Sequence, residues 1–277
     1  MKIKFTKMHT LGNDFVVIDA TKQSVTLTTS QIQKIANRRL GVGCDQLLVI
    51  ECPKKNVVHF HFRIFNADGS EVGQCGNGAC CIARFIRAQK LSDYDELLIS
   101  TINDTLELRI RPDDKISVKM GIPQFDPRDI PFITAQISNT YEIKAEDQIV
   151  KLGVVNIGNP HAIIPVEHID AEQVSILGLC LSTHELFPEG INVGFMRVIN
   201  SQTIQLRVYE RGTGETLACG SGACAAVAIG RRLGLLQQKQ IMVSQSGGNL
   251  IIDWQGPQTP IIMTGPAKKV FEGEWLN

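Results

Sequence analysis

The sequence lacks a net charge, and it has no long run of basic or of apolar residues. Its 28 Lys and Arg are balanced by 28 Asp and Glu. Proteins that bind nucleic acid or anionic membranes usually carry a basic patch, so we expect neither partner. No apolar run reaches transmembrane length, and the first nine residues lack the apolar segment of a signal peptide. We therefore expect a soluble, cytoplasmic protein.

Motifs for nucleotide binding are also missing. The two Gly-x-Gly runs, which begin at Gly76 and Gly220, have no third glycine at the spacing of the dinucleotide fingerprint. No Gly-Lys-Ser/Thr follows either of them, so a P-loop is absent too. The sequence therefore gives no support to nucleotide chemistry.

Cysteines, in contrast, are plentiful, and four of the eight belong to a motif that occurs twice. In a chain of 277 residues inside the cell, these thiols are expected to be reduced. The two copies begin 144 residues apart and read Cys75-Gly76-Asn77-Gly78-Ala79-Cys80 and Cys219-Gly220-Ser221-Gly222-Ala223-Cys224. A thiol beside the unpaired N–H groups at the start of a helix is a reactive thiol.

The repeat extends well beyond the six-residue motif. An ungapped alignment of 63–87 with 207–231 has 8 identities in 25 positions. Outside it, Gly12-Asn13 matches Gly158-Asn159, and Met120-Gly121 matches Thr264-Gly265. Landmarks in this order indicate two lobes of one architecture, with a boundary near residue 120.

Each half is rich in strand-like runs and contains two predicted helices. Ser30–Leu40, with Ser30 as N-cap, and Ala171–Leu179 form one pair of helices. The other pair, Ala79–Lys90 and Ala223–Leu233, follows the cysteine motifs, and the second of these helices has no polar face. We therefore expect an α+β fold of two pseudosymmetric lobes. Each would be a mainly antiparallel, curved sheet around a buried central helix, with the active site in the cleft between the lobes.

Two thiols at helix N-termini suit proton transfer at one carbon. The N–H groups and the helix dipole would hold a carboxylate and favour a thiolate. One thiolate could remove a Cα proton while the other thiol delivers a proton to the opposite face, which inverts the centre. Glycines at positions 76 and 220 would let a substrate approach the backbone closely.

Two other interpretations of the cysteine motif remain open. Either copy alone could be a tight helix–sheet packing motif. Zinc binding is disfavoured by geometry, because five residues along a helix rotate the side chain by about 500°, which turns Cys80 about 140° away from Cys75. Structural zinc sites also prefer closer spacings. Cys80, Cys81 and Cys224 are therefore predicted to be core residues.

Two polar features of the second half are candidates for function. His161 follows Gly158-Asn159-Pro160, a run of turn-forming residues. The alternative to a functional role is therefore a histidine in a surface turn. Glu210-Arg211 stands where the first half has Asn66-Ala67, and the alternative is an exposed charged pair in a loop.

Taken over nearly its full length, the chain resembles the diaminopimelate epimerase family. The resemblance rests on motifs that occur in the family's order: 8–15 (MHTLGNDF), 41–46 (GVGCDQ), 65–71 (FNADGSE), 75–79 (CGNGA), 158–161 (GNPH), 209–212 (YERG) and 218–224 (ACGSGAC). It implies an epimerase without PLP or metal that interconverts LL- and meso-2,6-diaminopimelate for lysine and peptidoglycan precursors.

The resemblance also implies roles for residues. Cys75 and Cys219 form the acid–base pair, with Cys219 accepting and Cys75 donating the proton in the LL-to-meso direction. His161 and Glu210 tune the thiols. The implied substrate contacts are Asn13, Gln46, Asn66, Gly76, Asn77, Asn159, Asn192, Glu210, Arg211, Gly220 and Ser221. No metal ligand and no cofactor is implied.

Domain organisation and assembly follow from the same resemblance. Residues 1–120 would form the N-terminal lobe, 264–277 would return to it, and 121–263 would form the C-terminal lobe. A homodimer is also implied, although Phe271 stands where the family often has a tyrosine associated with the dimer contact.

Two alternative functions are carried forward. An epimerase or racemase acting on proline or hydroxyproline would need no large set of asparagine and glutamine side chains. A metal- or redox-sensing protein would use the clustered thiols but would leave that set unexplained.

Overall fold

The computed structural model describes residues 2–54, 57–73 and 75–276; Met1, Lys55, Asn56, Gln74 and Asn277 lie outside the described residues. The elements, in chain order, are β1 Lys2–Thr10, β2 Asn13–Asp19, α1 Thr29–Ala36, β3 Gln46–Glu51, β4 Phe60–Asn66, β5 Glu71–Val72, α2 Gly76–Ala88, β6 Glu96–Ser100, β7 Thr105–Ile110, β8 Ile116–Lys119, β9 Tyr141–Ala145, β10 Gln148–Asn156, β11 Pro160–Pro165, α3 Ala171–Ser182, β12 Asn192–Asn200, β13 Thr203–Glu210, β14 Gly214–Thr216, α4 Gly220–Arg232, β15 Gln240–Gln245, β16 Gly248–Asp253, β17 Ile262–Gly265 and β18 Lys268–Leu276. A 3₁₀ turn spans Pro127–Asp129.

The chain divides into two compact units. Unit 1 comprises Met1–Lys119 with Gly265–Asn277, and unit 2 comprises Met120–Thr264. No helix within the described residues is long and apolar enough to cross a membrane.

Unit 1 is a mixed sheet in which antiparallel pairs predominate. Strand β1 lies between β18 and β2 and is antiparallel to both. The β2–β3 pair is parallel, β3–β4 and β4–β5 are antiparallel, and β4–β6 is again parallel. The antiparallel pairs β6–β7 and β7–β8 complete the unit.

Unit 2 repeats this pattern pair by pair. The β9–β10 and β10–β11 pairs are antiparallel, β11–β12 is parallel, and β12–β13 and β13–β14 are antiparallel. The β13–β15 pair is parallel, and β15–β16 and β16–β17 are antiparallel. The predicted α+β class, with two lobes of one architecture, is confirmed by this shared topology.

The helices that follow the cysteine motifs are the central helices of the two units. In α4, Gly220 and every residue from Gly222 to Gly230 are buried, as the absence of a polar face predicts. Helix α2 is buried from Asn77 to Ala83; of its later residues Arg84 and Arg87 are partly exposed and Ala88 is exposed. Both helices begin three residues before the predicted Ala79 and Ala223, because the glycines after each cysteine already have helical geometry.

The prediction for α1 was wrong at both ends. The N-cap is Thr28 rather than Ser30, because Thr28 and Gln31 form a capping box in which each side chain bonds to the other's backbone. The helix ends at Ala36 rather than Leu40. Asn37 has extended backbone angles, and its side-chain oxygen accepts from the N–H groups of Arg39 and Leu40, which forms a turn instead.

A close approach between α3 and β13 depends on a glycine. A Cβ atom at Gly178 would lie 2.6 Å from both Cβ and Cγ of Tyr209. Those atoms lie next to the β13 backbone and cannot swing aside. We predict that Gly178→Ala lowers the free energy of unfolding by about 1–3 kcal/mol through overpacking. That loss exceeds the gain in helix propensity, which is at most about 1 kcal/mol.

The measurement is urea unfolding, with Ser175→Ala on the exposed side of α3 as the control. The control removes only a hydroxyl that bonds to the Ala171 carbonyl, so its unfolding midpoint should stay within experimental scatter of the wild type. A Gly178→Ala variant as stable as this control would show that the helix and strand can separate without cost.

Candidate active site

Both cysteines that open the motifs act as N-caps of the central helices. Cys75 and Cys219 have extended backbone angles, and the Sγ of each accepts the N–H of the third helical residue. The distances are 3.3 Å from Gly78 N and 3.4 Å from Gly222 N. A hydrogen bond to sulfur, together with the positive end of the helix dipole, stabilises a thiolate.

Glycine at the third helical position leaves room for this sulfur. A Cβ atom at Gly78 would lie 3.4 Å from the Sγ of Cys75, and one at Gly222 would lie 3.2 Å from the Sγ of Cys219. At Gly222 it would also lie 3.0 Å from Val208. At Gly222 a larger residue would therefore crowd the thiol and Val208, whereas at Gly78 a Cβ atom would just reach contact with the sulfur.

The other cysteines of the two central helices are core residues, as predicted. Cys80, Cys81 and Cys224 are fully buried. Burial raises the pKa of Cys81 to about 12 and holds the pKa values of Cys80 and Cys224 well above their ordinary range. These thiols remain neutral and unreactive. Within the described residues, no group of three or more His, Cys, Asp or Glu side chains is arranged to hold a metal ion.

In unit 1, the predicted amides form two hydrogen-bonded pairs, Asn77 with Asn13 and Gln46 with Asn66. Asn77, on the first turn of α2, donates to the side-chain oxygen of Asn13 at 3.2 Å. Asn13 in turn donates to Asp45 at 2.9 Å. Gln46 donates to Asn66 at 2.9 Å across the β3–β4 pair. These contacts fix the orientation of each amide, so that donors and acceptors are assigned before any ligand arrives.

At least one acceptor among these amides is not satisfied by the described residues. The Oε1 of Gln46 is buried and receives no hydrogen bond from the described residues. An orphaned buried acceptor costs free energy, and such groups are characteristic of ligand sites. An ammonium group is a ligand that would satisfy it.

A network of charged side chains holds Asp45, the residue that accepts from Asn13. Asp14 accepts from Arg38 at 2.8 and 2.9 Å and from Lys7 at 2.6 Å, and Arg38 also bonds to Asp45. Burial alone would raise the pKa of Asp14, but the hydrogen bonds from Arg38 and Lys7 and the charge of Lys7 outweigh it and hold that pKa well below its ordinary value. Asp45 is thereby anchored while it accepts from Asn13.

In unit 2, a chain of contacts leads from a histidine to the second cysteine. The Nε2 of His161 lies 3.0 Å from the side-chain oxygen of Asn159 and 3.0 Å from the Oγ of Ser221. That Oγ lies 3.6 Å from the Sγ of Cys219. Because an amide oxygen can only accept, the contact with Asn159 places the proton of the neutral ring on Nε2. The Ser221 hydroxyl is then able to donate to sulfur.

The interpretation of His161 as a surface-turn residue is wrong. Pro160 already belongs to β11, where His161 pairs with Asn192 of β12 in parallel register, and His161 has no exposed surface. Burial lowers the pKa of His161 to about 3, and the charge of Arg211 acts in the same direction. The ring is therefore neutral at physiological pH.

Glu210 and Arg211 occupy the end of β13. Glu210 is partly buried and accepts from the hydroxyl of Thr216 at 2.6 Å. The backbone N–H of Arg211 donates to Asn192 at 3.0 Å, and its guanidinium bonds to the Glu189 carbonyl. Asn192 also donates to the Pro160 carbonyl at 3.0 Å. Glu210 is thus not a free loop residue, whereas Arg211 is exposed but anchored.

Sequence reasoning missed two residues that hold the predicted site residues of unit 2 in place. Gln245, on β15, accepts from the Cys219 N–H at 2.8 Å and returns a bond to the Cys219 carbonyl at 3.4 Å. Thr216 holds Glu210. Nothing in the sequence marks Gln245. Thr216 could have been found by comparing the two halves. The repeat aligns Thr216 with Val72 and Glu210 with Asn66, so a hydroxyl and a carboxylate appear together in the second half.

The predicted site residues fall into two half-sites, one in each unit. The first contains Asn13, Gln46, Asn66, Cys75, Gly76 and Asn77. The second contains Asn159, His161, Asn192, Glu210, Arg211, Cys219, Gly220 and Ser221. Each half-site consists of one capped thiol and a set of polar groups held by neighbouring strands.

The fold recurs in solved structures of low sequence identity. A hydroxyproline epimerase from Agrobacterium vitis matches with a TM-score of 0.73 at 13% identity, covering 99% of this chain and 92% of that chain. A PhzF-family phenazine biosynthesis protein from Bacillus anthracis matches with a TM-score of 0.68 at 18% identity, covering all of both chains. At these identities the likeness concerns the fold.

Sequence comparison is more specific. The model of the diaminopimelate epimerase family matches residues 5–125 and 153–270. Diaminopimelate epimerases from several strains of Coxiella burnetii are 72% identical over 277 residues, which is the full length of both chains. The chain therefore belongs to the diaminopimelate epimerase family.

Proposed function

We propose that the chain epimerises diaminopimelate by a two-base mechanism in which Cys75 and Cys219 act on opposite faces of one Cα. Membership of the family makes the chain an enzyme that interconverts diaminopimelate isomers, a reaction of lysine biosynthesis. The observation that carries the two-thiol proposal is the matching pair of capped cysteines. Each unit supplies one thiol, and each thiol accepts an N–H from the start of a buried helix.

In the LL-to-meso direction, the Cys219 thiolate removes the Cα proton and becomes a thiol. The electron pair left on carbon is delocalised into the adjacent carboxylate. Cys75 then gives its proton to the opposite face of the carbon and becomes a thiolate. Reversal of the reaction exchanges these roles.

Three groups in unit 2 support Cys219 as the base. Gly222 N–H and the Ser221 hydroxyl both lie within hydrogen-bonding distance of its sulfur. Neutral His161 donates to the Ser221 oxygen and thereby leaves the Ser221 proton for sulfur. Hydrogen bonds to the charged form favour the thiolate, and Glu210, on the same half-site, completes the tuning of the thiol pair.

The N-termini of the central helices supply the carboxylate site. The first N–H groups of a helix have no partner within the helix, and those of Gly76 and Gly220 can bond to a substrate carboxylate. Negative charge that develops on this carboxylate during proton removal is stabilised by the same groups. The scheme requires neither a cofactor nor a metal.

The amides and charged side chains would hold the centre that does not react. Diaminopimelate carries a second ammonium and a second carboxylate. Gln46 Oε1, buried and unsatisfied, suits an ammonium, and Arg211 can bind a carboxylate through two N–H groups. A substrate without the distal groups would leave buried polar atoms unpaired, which explains selection for a long, bifunctional amino acid.

An enzyme acting on proline or hydroxyproline is the alternative, and the sequence comparisons favour diaminopimelate. The hydroxyproline epimerase shares only 13% identity with the chain, whereas diaminopimelate epimerases reach 72%. A small cyclic substrate would also leave the polar set of both half-sites without partners.

We further propose that the enzyme is a cytoplasmic homodimer that pairs through β18. This strand exposes three large apolar side chains: Val270 is 56%, Phe271 46% and Leu276 67% exposed. Phe271 packs edge-on against Phe5 of β1 and so presents a fixed apolar surface. A second copy of the strand would cover it.

The two-base mechanism is tested with LL-diaminopimelate in deuterium oxide. We predict incorporation of deuterium at one Cα together with formation of the meso isomer. Cys75→Ala and Cys219→Ala should each reduce the rate of epimerisation by about a thousandfold, since each removes one proton-transfer group. Mass spectrometry and chiral chromatography measure the two outcomes.

Cys180→Ala is the matched control for this test, because Cys180 belongs to neither half-site. It should epimerise at the wild-type rate. Retention of epimerase activity by either active-site variant would refute the pairing of the thiols, and turnover of proline without turnover of diaminopimelate would refute the substrate.

A second prediction concerns the effect of His161 on how the free energy of unfolding depends on pH. Its folded pKa of about 3 lies below the unfolded value of 6.5, so only the unfolded chain takes up the proton. The stability is present in full above pH 6.5 and is lost as pH falls towards 3. At pH 5 this loss is about 2 kcal/mol. His161→Gln cannot titrate, so we predict that its stability falls less between pH 7 and pH 5 than that of the wild type.

Urea unfolding at the two pH values measures the difference. The exposed His168, in the same unit, provides the control, and His168→Gln should follow the wild type. If the wild type and His161→Gln lose equal stability on acidification, the ring is not held neutral by burial.

The dimer proposal is tested by sedimentation velocity. We expect the wild type to sediment at twice the chain mass of 30.5 kDa and Phe271→Glu to sediment as a monomer, because a charge would have to be buried in the interface. Leu40→Glu, at another exposed apolar residue, should remain dimeric. A monomeric wild type would contradict the proposal.

A further inference from the structure

We infer that Thr216 is a positioning residue for this reaction: its hydroxyl holds the carboxylate of Glu210 in the orientation in which Glu210 acts. The inference rests on the proposed function, which places Glu210 in the site. Thr216 itself touches neither the thiols nor the substrate in this scheme. Its effect reaches the reaction only through Glu210.

The observation is a short hydrogen bond inside one hairpin. The Oγ1 of Thr216, on β14, donates to the Oε1 of Glu210, on β13, at 2.6 Å. A bond of that length from a hydroxyl to a carboxylate is characteristic of a charge-assisted pair. It fixes the direction of one of the two carboxylate oxygens and thereby the plane of the carboxylate.

The hairpin itself does not need this bond. In the β13–β14 pair, Val208 lies opposite Thr216, and Arg207 binds Glu215 through two nitrogens at the next position. The β4–β5 hairpin of unit 1 has the same construction, with Ile64 opposite Val72 and Arg63 bound to Glu71 through two nitrogens. That hairpin forms with valine where unit 2 has threonine.

The internal repeat therefore supplies a natural comparison. Thr216 aligns with Val72, and Glu210 aligns with Asn66. Threonine and valine have nearly the same shape and differ by a hydroxyl. The hydroxyl is present in the unit that has a carboxylate to orient and absent in the unit that has an amide. In unit 1 the amide of Asn66 is oriented differently, by Gln46 and by Ser70.

Substitutions that differ only in the hydroxyl test the inference. Thr216→Val should lower kcat/KM for LL-diaminopimelate about tenfold, which corresponds to losing one hydrogen bond to a charged group. Most of the loss should appear in KM, because a misdirected carboxylate weakens a contact made throughout the reaction. Thr216→Ser retains the hydroxyl and should stay within twofold of the wild type.

Thr216→Ala provides a second comparison that remains valid if Thr216→Val does not fold. It differs from Thr216→Ser by the hydroxyl alone and should show the same tenfold loss. Val72→Thr, at the equivalent position of unit 1, adds a hydroxyl where there is no carboxylate and should leave the kinetics unchanged. Circular dichroism and urea midpoints confirm that each variant is folded.

A double-mutant cycle separates positioning from a general structural role. In a Glu210→Gln background, Thr216→Val should cause no further loss, because the group through which it acts is already gone. Additive losses, or equal losses in Thr216→Ser and Thr216→Val, would overturn the inference. If Glu210→Gln itself has wild-type kinetics, the proposed role of Glu210 fails instead, which is a distinct result.

Discussion

The structure of each unit depends on how the N-terminus of a largely buried helix is satisfied. Helix α4 has no polar face, and α2 is buried over its first two turns. The N–H groups at the start of each helix therefore need hydrogen-bond partners other than bulk water. A cysteine sulfur takes one of these groups in each unit. The bond that caps the helix is also the bond that favours the thiolate, so the stability of the fold and the reactivity of the thiol have a common origin.

The two half-sites share this cap and differ in what surrounds it. Positions that hold Phe15, Asn66, Val72 and Asn77 in unit 1 hold His161, Glu210, Thr216 and Ser221 in unit 2. At these positions unit 1 has amides and apolar groups, while unit 2 has a histidine, a carboxylate and two hydroxyls. Such a difference suits a reaction in which one thiol starts as a base and the other as an acid. It also suits a substrate with two unlike ends.

The sequence was sufficient to predict the parts of the site that follow from local rules. The helix period separates Cys75 from Cys80, and the buried Cys80 agrees with that prediction. It was insufficient where tertiary pairing decides. The Gly-Asn-Pro run before His161 has the composition of a turn, yet Pro160 starts β11, and parallel pairing with β12 buries the histidine. The link between Gln245 and Cys219 joins residues 26 apart, and no local pattern encodes it.

The identities in the repeat and its differences have separate physical causes. Most identical positions are structural. Arg63 and Arg207 form paired bonds to Glu71 and Glu215 in the hairpins, and Gly78 and Gly222 make room for sulfur. Arg87 and Arg231, in the last turns of the two helices, bond to the backbone carbonyls of Tyr94 and Trp254.

Of these identities, the opening cysteines are proposed to transfer the protons and the glycines after them to bind the carboxylate. The cysteines are also caps. The groups proposed to tune the thiols lie at positions that differ, namely His161, Glu210 and Ser221. Duplication of a stable capped helix therefore supplies two thiols at once, and divergence of the neighbouring side chains can assign them different roles without disturbing the fold. Glu210 is held by Thr216, and both positions differ from their counterparts in unit 1, Asn66 and Val72. Positioning residues are therefore best sought at pairs of contacting residues that both differ between the two units.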